Sequence, residues 1–113
     1  MRYLCLAYGA EEDWKALSKR EQEALLAQDE KIRRRGAEMS AVTPEVTTVR
    51  AWEGVPAVTT EPVANPGIPL AGFSIIEAKD LDEVIQLVAG TPCARAKGAI
   101  EIRPLWGSNG GSD

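Results

Sequence analysis

Histidine is absent from the 113-residue chain, and only two cysteines are present, Cys5 and Cys93. Without histidine the chain lacks the commonest general base at neutral pH and the commonest metal ligand. Neither Ser-His-Asp nor Cys-His catalysis can be assembled within one chain, and the cysteines do not form the Cys-x-x-Cys spacing of zinc or redox sites. We therefore expect no metal and no cofactor.

An excess of basic residues and a long hydrophobic run are also missing. Thirteen basic and seventeen acidic residues give a formal charge of -4, so the chain as a whole lacks the positive surface that binds nucleic acid. No apolar run approaches the roughly 18 residues of a membrane helix, and the apolar start is too short for a signal-peptide core. We expect a single cytoplasmic domain that binds neither nucleic acid nor membranes.

The two cysteines have different expected roles. Cys5 lies in an apolar run and is predicted to be a small buried hydrophobe. Cys93 follows a Thr-Pro pair and lies near Arg95 and Lys97, whose positive charges would lower its pKa. For Cys93 the first interpretation is structural packing, and a reactive thiol is the alternative.

The first half of the chain predicts one strand and one long helix. Residues 2–8 are apolar on both faces, which is typical of a central strand. The acidic segment 11–13 is predicted to be a linker. Ser18 and Glu21 form a capping box that starts a helix ending at about Arg35. Its final arginine run is interpreted as a match to the helix dipole, with a nucleic-acid patch as the alternative.

The second half alternates between strands and turns. Residues 38–59 have the period of two that predicts antiparallel strands, including a hairpin of 47–52 and 55–59. Residues 60–70 have too many prolines for regular structure. A strand follows at 72–77, and 99–105 is predicted to be the last strand. Between them Asp80 begins a helix that Gly90 ends in a left-handed conformation, with the apolar stripe Leu81, Val84, Ile85 and Val88.

This order of elements predicts an α+β fold with a ferredoxin-like antiparallel sheet and two helices on one face. The domain spans residues 1–106, and the Gly/Ser-rich residues 107–113 are predicted to be a disordered tail. The second face of the sheet is apolar and uncovered, so we expect a homodimer packed sheet to sheet. Trp14, Trp52 and Trp106 are interpreted as core or dimer-interface anchors.

Several segments together resemble the YCII-related family, and within it the subgroup named for an Asp-Gly-Pro-Phe motif. They are the opening strand at 1–9, the segment 47–50, the strand at 70–77 and the closing segment 92–106. The resemblance implies a dimeric α+β barrel with a cleft in each subunit between sheet, helices and motif loop. One branch of the family resembles dehydrochlorinating or muconolactone-type enzymes that use a His-Asp pair.

The motif loop, residues 60–67, departs from that pattern, because only Pro62 and Ala64 match. The chain therefore lacks the residues that the family's His-Asp chemistry requires. We therefore predict a dimeric ligand-binding or accessory module without bond-making chemistry, whose cleft lies near the loop 60–70 and the end of the last strand. This cleft would bind a small molecule or dock a protein. The candidate ligand-binding residues are Arg50, Glu61, Pro62, Arg95 and Arg103.

Two alternatives remain open. The first is a lyase or isomerase in which Glu61 is the general base and Arg50, Arg95 or Arg103 stabilises an oxyanion. The second, implied only by the family's association, is a regulatory partner of an extracytoplasmic-function sigma factor or another transcription protein. Against the catalytic roles, a glutamate in a proline-rich loop is usually solvated, and Arg103 has Glu101 as an ion-pair partner.

Overall fold

The described part of the computed structural model, residues 1–64 and 67–107, contains six strands and four helices. The strands are β1 (Arg2–Tyr8), β2 (Glu38–Ala41), β3 (Thr48–Arg50), β4 (Ala57–Thr59), β5 (Leu70–Glu77) and β6 (Ala99–Pro104). The helices are α1 (Glu11–Lys15), α2 (Lys19–Arg34), α3 (Leu81–Val88) and α4 (Pro92–Arg95). None of the described helices has the length and apolar character needed to cross a membrane.

Four of the strands form one antiparallel sheet in the order β2-β5-β1-β6. The central strand β1 pairs with β5 through Tyr3 and Ile76 and with β6 through Cys5 and Ile102. This order is that of a ferredoxin-like sheet, so the predicted α+β fold is confirmed. The two remaining strands, β3 and β4, pair only with each other and form a separate hairpin.

Helix α2 begins and ends where the local sequence signals predict. The Glu21 amide donates to Ser18 Oγ over 3.1 Å, and the Ser18 amide donates to Glu21 Oε1 over 2.9 Å, which completes the capping box. After the last turn, Gly36 has a φ of 94°, the left-handed conformation that glycine adopts without strain. Arg33 forms a 2.7 Å ion pair with Glu30 within the helix. The arginine run therefore includes an intrahelical ion pair at the negative end of the helix dipole.

The acidic segment before α2 is helical, so its interpretation as a linker was wrong. Helix α1 carries Glu11, Glu12 and Asp13 in its first turn, where negative charges interact favourably with the helix dipole. Lys15 adds a 3.0 Å ion pair to Glu11, one turn earlier. These local interactions favour this short helix of five residues.

The hydrophobic core lies between one face of the sheet and helices α2 and α3. The fully buried side chains are Ile32 from α2, Ile76 from β5 and Val84 from α3. Leu81 and Ile85 are exposed, which corrects the predicted apolar stripe of α3. An eight-residue helix lying on a sheet contacts it along a narrow line, and here that line passes through Val84 and Val88.

The end of α3 also differs from the prediction. Gly90 does not have a positive φ, and the terminal residue Ala89 is right-handed. The chain instead turns through Thr91, whose hydroxyl donates to the Val88 carbonyl oxygen. Pro92 then begins the short helix α4 rather than only preventing continuation of α3.

The hairpin of β3 and β4, which we call the arm (residues 48–59), extends away from the main sheet. Its strands pack chiefly on each other, as the sequence predicted for a hairpin around Glu53-Gly54. The radius of gyration is 16.0 Å, against about 13 Å for a compact chain of this length. Trp52 in the arm is 89% exposed and Trp106 is 87% exposed, so neither is a core residue.

The second face of the sheet, which we call the open face, is apolar and carries no helix among the described residues. Burial alternates along β1 and β5 between fully buried side chains under the helices and half-buried side chains on this face. The open face is centred on Leu4, Leu6, Phe73 and Ile75. The predicted disordered tail, apart from Gly107, lies outside the described residues.

Candidate functional site

A cavity of about 220 Å³ lies between the helix side of the sheet and helices α2 and α4. It is open to solvent on one side, and most of its wall is apolar. The residues that line it include Cys5, Ala7, Asp29, Ile32, Arg33, Met39, Ser40, Ala71, Gly72, Ser74, Thr91, Cys93 and Ile100. It shares the sheet and the helices with the cleft that the family resemblance implied, but no described residue of the loop 60–70 lines it.

The cavity exists because the sheet carries small side chains at this end. At one end of the sheet, the face under the helices carries the large side chains of Tyr3 and Ile76. At the cavity end the residues are small, namely Ala7, Ala41, Ala71 and Gly72. A methyl group on Gly72 would lie 2.7 Å from the Ser40 carbonyl oxygen, so this close approach of β5 to β2 requires glycine. Small residues therefore leave unfilled space under the helices.

Asp29 on α2 is the ionisable group of most interest in the cavity wall. Burial raises the pKa of its carboxyl above the usual value of 3.8, and the nearby Arg33 guanidinium opposes that rise only in part. No side chain of the described residues donates a hydrogen bond to this carboxylate or forms a salt bridge with it. Its oxygens are therefore free to accept a hydrogen bond from a molecule in the cavity.

Three other polar side chains of the cavity wall, those of Arg33, Ser40 and Thr91, already donate to partners. Arg33 is paired with Glu30 over 2.7 Å. The Thr91 hydroxyl donates to the Val88 carbonyl oxygen, and the Ser40 hydroxyl donates to the Ala41 carbonyl oxygen over 2.9 Å. Asp29 is thus the charged side chain of the wall that has neither a hydrogen bond nor a salt bridge within the described part of the chain.

Both cysteines line the same cavity, and neither has the environment of a reactive thiol. Burial raises the Cys5 pKa, and Cys5 is among the buried core residues as predicted. Burial and the negative charge of Asp29 raise the Cys93 pKa, so the expected lowering by Arg95 and Lys97 was wrong. Since the thiolate is the nucleophile, a raised pKa makes both cysteines poor nucleophiles near neutral pH.

The same residues were considered as ligands for a metal ion. Although Cys5, Asp29 and Cys93 all line the cavity, the described residues contain no group of three or more cysteine, aspartate or glutamate side chains arranged to hold a metal ion. The cavity is therefore characterised by one carboxylate, two protonated thiols and an apolar wall.

Comparison with known protein families assigns nearly the whole chain to one family. The model of the family described as "YCII-related domain" matches residues 1–108. The chain belongs to the YCII-related family. No curated protein matches the chain. A solved structure that is similar is 5-chloro-2-hydroxyhydroquinone dehydrochlorinase from Burkholderia phenoliruptrix in complex with 2,5-dihydroxybenzoquinone, with 19% identity over 93% of each chain and a TM-score of 0.48.

In this YCII-related chain, two of the residues predicted to bind a ligand lie together outside the cavity. Arg50 and Glu61 line a shallow depression at the base of the arm, with Val58 to Thr60 between them. The backbone there is held by the Thr48 hydroxyl, which donates to the Glu61 carbonyl oxygen over 2.6 Å. Glu61 and the following Pro62 are exposed, so the depression offers little shelter from water.

The other two predicted ligand residues lie elsewhere on the surface. Arg95 is exposed on α4. Arg103 is on the open face, where it forms an ion pair with Glu101, the structural role that the sequence suggested. None of the five predicted residues lines the cavity.

Asp29 was not predicted, although the sequence contains a signal for it. The buried side of α2 runs through Leu25 and Ile32, and Asp29 is four residues after the first and three before the second. An acidic residue on the apolar stripe of an amphipathic helix is unusual because its charge must be desolvated. That irregularity marks the site.

Proposed function

We propose that this YCII-related protein is a small-molecule-binding module whose ligand occupies the cavity beside Asp29. The observation that carries this proposal is the partly desolvated Asp29 carboxylate, which has no hydrogen-bond donor among the described residues. A carboxylate in such a place lowers the stability of the folded state, because ionisation is opposed by burial. A ligand that donates a hydrogen bond to Asp29 would offset that cost.

The chemistry of the wall limits the ligand. The volume of about 220 Å³ is below the roughly 300–1,000 Å³ of pockets for drug-sized molecules. The apolar part of the wall, with Ala7, Ala71 and Ile100, suits one ring or a short branched chain. Asp29 favours a hydroxyl or an amine over a carboxylate. The proposed ligand is therefore a compact apolar compound with a single hydrogen-bond donor.

The finer family assignment is part of the same proposal. We place the chain in the Asp-Gly-Pro-Phe subgroup with a degenerate motif loop. Residues 60–64 do not line the cavity, so the proposed binding does not depend on the degenerate motif. The enzyme with Glu61 as its base and the sigma-factor partner stay predictions. The exposure of Glu61 is that of a solvated loop residue.

The test uses three one-ring probes: phenol and benzylamine, which carry a donor, and toluene, which does not. Titration into isotope-labelled protein is followed by amide NMR shifts. We expect phenol or benzylamine to shift amides around the cavity, with toluene binding at least tenfold more weakly. In Asp29→Leu, which removes the acceptor at a similar side-chain size, this preference for donors should disappear, whereas Glu23→Leu on the exposed side of the same helix should retain it.

Two results would contradict the proposal. The first is that all three probes leave the cavity amides unchanged or shift only amides elsewhere. The second is that the preference for the donor-bearing probes is the same in Asp29→Leu as in the natural chain. Native mass spectrometry of the freshly purified protein complements the titration, because a retained compound would reveal its mass directly.

A further inference from the structure

We propose that the cavity selects a protonated primary amine, and that Glu30 makes this selection possible by holding Arg33 away from the Asp29 carboxylate. The inference rests on the proposed function, because it names the charge of the ligand that binds beside Asp29. It also assigns a positioning role to Glu30, which does not line the cavity. The ligand class is a small organic cation built on one ring or a short branched chain.

The first observation is that Arg33 does not pair with Asp29. It lies four positions after Asp29 on α2, a spacing at which an aspartate and an arginine can pair on a helix surface. Instead Arg33 Nη1 donates to Glu30 Oε2 over 2.7 Å, and Nη2 donates to Met39 Sδ over 3.5 Å. Both terminal nitrogens of the guanidinium are thus occupied. Arg33 accordingly opposes the rise in the Asp29 pKa only in part.

The second observation is the balance of charge around the cavity. Glu30 and Arg33 offset each other at short range. The other ionisable groups that face Asp29 are the thiols of Cys93 on α4 and Cys5 on β1, and burial raises the pKa of both, so they stay neutral near pH 7. The described wall residues of β2, β5, β6 and α3 carry no charge. The Asp29 carboxylate is therefore the unbalanced charge of the described wall.

This balance favours a cation over a neutral donor. A hydroxyl and an ammonium group can both donate to Asp29, but the ammonium also brings the missing positive charge. The attraction between two charges grows as the effective dielectric constant of their surroundings falls, and the apolar wall lowers that constant relative to water. Asp29 is already partly desolvated before a ligand binds, so binding adds little desolvation on the protein side.

The selection has a defined pH dependence. Ionised Asp29 attracts the ammonium group and protonated Asp29 does not, so affinity for an amine rises with pH through the raised pKa of Asp29. The affinity then stays level until the pH reaches the pKa of the amine itself. A neutral alcohol has no charge to pair with Asp29, and its affinity should therefore vary much less with pH.

The first test compares benzylamine with benzyl alcohol, which have the same ring and a donor group of similar size but differ in charge at pH 7. Both are titrated into isotope-labelled protein and followed by amide NMR shifts. We expect benzylamine to bind roughly tenfold more tightly at pH 7. This preference should decline as pH falls through the titration midpoint of Asp29, measured from its carboxyl carbon. Asp29→Asn keeps an acceptor oxygen but removes the charge, so both probes should bind it about equally.

The second test addresses Glu30 with two identical substitutions on α2. Glu30→Gln releases Arg33 to pair with Asp29, so the preference for benzylamine should fall and the Asp29 carboxyl should titrate at a lower pH. Glu23→Gln, on the exposed side of the helix, should change neither. Adding Arg33→Gln to Glu30→Gln should restore the preference, because no arginine then remains at that spacing. A merely structural role for Glu30 would not move the Asp29 titration and would not be rescued.

The outcomes separate this inference from the proposed function. Benzyl alcohol binding as tightly as benzylamine, with the cavity amides shifted by both, would overturn charge selection and leave the proposed function standing. Binding of neither probe would overturn both. A preference for benzylamine that persists in Asp29→Asn would also overturn charge selection. An Asp29 titration that is unchanged in Glu30→Gln would overturn the role of Glu30.

Discussion

Replacing Gly98 with alanine tests the closest backbone contact near the cavity. An added methyl group would lie 2.1 Å from the Tyr8 carbonyl oxygen and 2.6 Å from the Cys93 carbonyl oxygen. Contacts shorter than 3.0 Å are essentially never seen for a Cβ atom, so the backbone must move by at least the difference of 0.9 Å. Both neighbours are backbone atoms and cannot rotate away, and relief of the clash must separate β6 from β1 or from α4.

The expected cost is at the upper end of the range for overpacking, about 3 kcal/mol. For a domain of this size that corresponds to a melting temperature about 12 °C lower. Differential scanning calorimetry measures it directly. The matched control is Gly90→Ala, whose added methyl group meets only the flexible Gln28 side chain, at 3.4 Å, and which lacks a positive φ. We expect the control to change stability by less than about 1 kcal/mol.

Equal melting temperatures for Gly98→Ala and the natural chain would refute the steric argument. A large loss in Gly90→Ala would instead show that this glycine has the left-handed role that the sequence suggested. The pair of variants therefore separates a tertiary contact from a local backbone preference.

Three further predictions concern individual side chains. Because burial raises the Asp29 pKa above its unfolded value near 3.8, stability falls as pH rises from that value through the folded pKa. The melting temperature of Asp29→Asn should therefore exceed that of the natural chain at pH 7 and match it near pH 3. Equal melting temperatures at both pH values would contradict this prediction. Ile76→Ala should cost about 3 kcal/mol in urea unfolding because Ile76 is fully buried, and a loss below about 1 kcal/mol would exclude tight packing there. Ser18→Ala should cost about 1 kcal/mol through loss of the capping box, and an unchanged unfolding midpoint would show that the cap contributes nothing.

Elements with strong local signals were predicted well. Strand β1 has its apolar residues on both faces, and α2 has a capping box at one end and a left-handed glycine at the other. Each signal acts between residues fewer than five positions apart, so it is readable from the sequence. The order of these elements predicted the ferredoxin-like sheet, in which the structure pairs β1 with both β5 and β6.

Elements that depend on distant contacts were predicted less well. The exposure of Leu81 and Ile85 depends on how α3 lies across the sheet, which its own periodicity does not specify. Cys93 illustrates the same limit for chemistry. Its neighbours in sequence are basic, but its neighbour in space is Asp29, on a helix more than sixty positions earlier, and the spatial neighbour determines the direction of its pKa.

The sequence by itself determined the α+β order of elements, the family, and the absence of histidine chemistry. Those conclusions follow from residue types and from periodicities that act locally. Only the tertiary structure decided where the cavity lies, because the cavity is a space between small residues of three strands and the buried sides of helices α2 and α4. It also showed that Arg50 and Glu61 lie outside the cavity that Asp29 lines. Burial and charge act through distances in space, and position along the chain does not fix those distances.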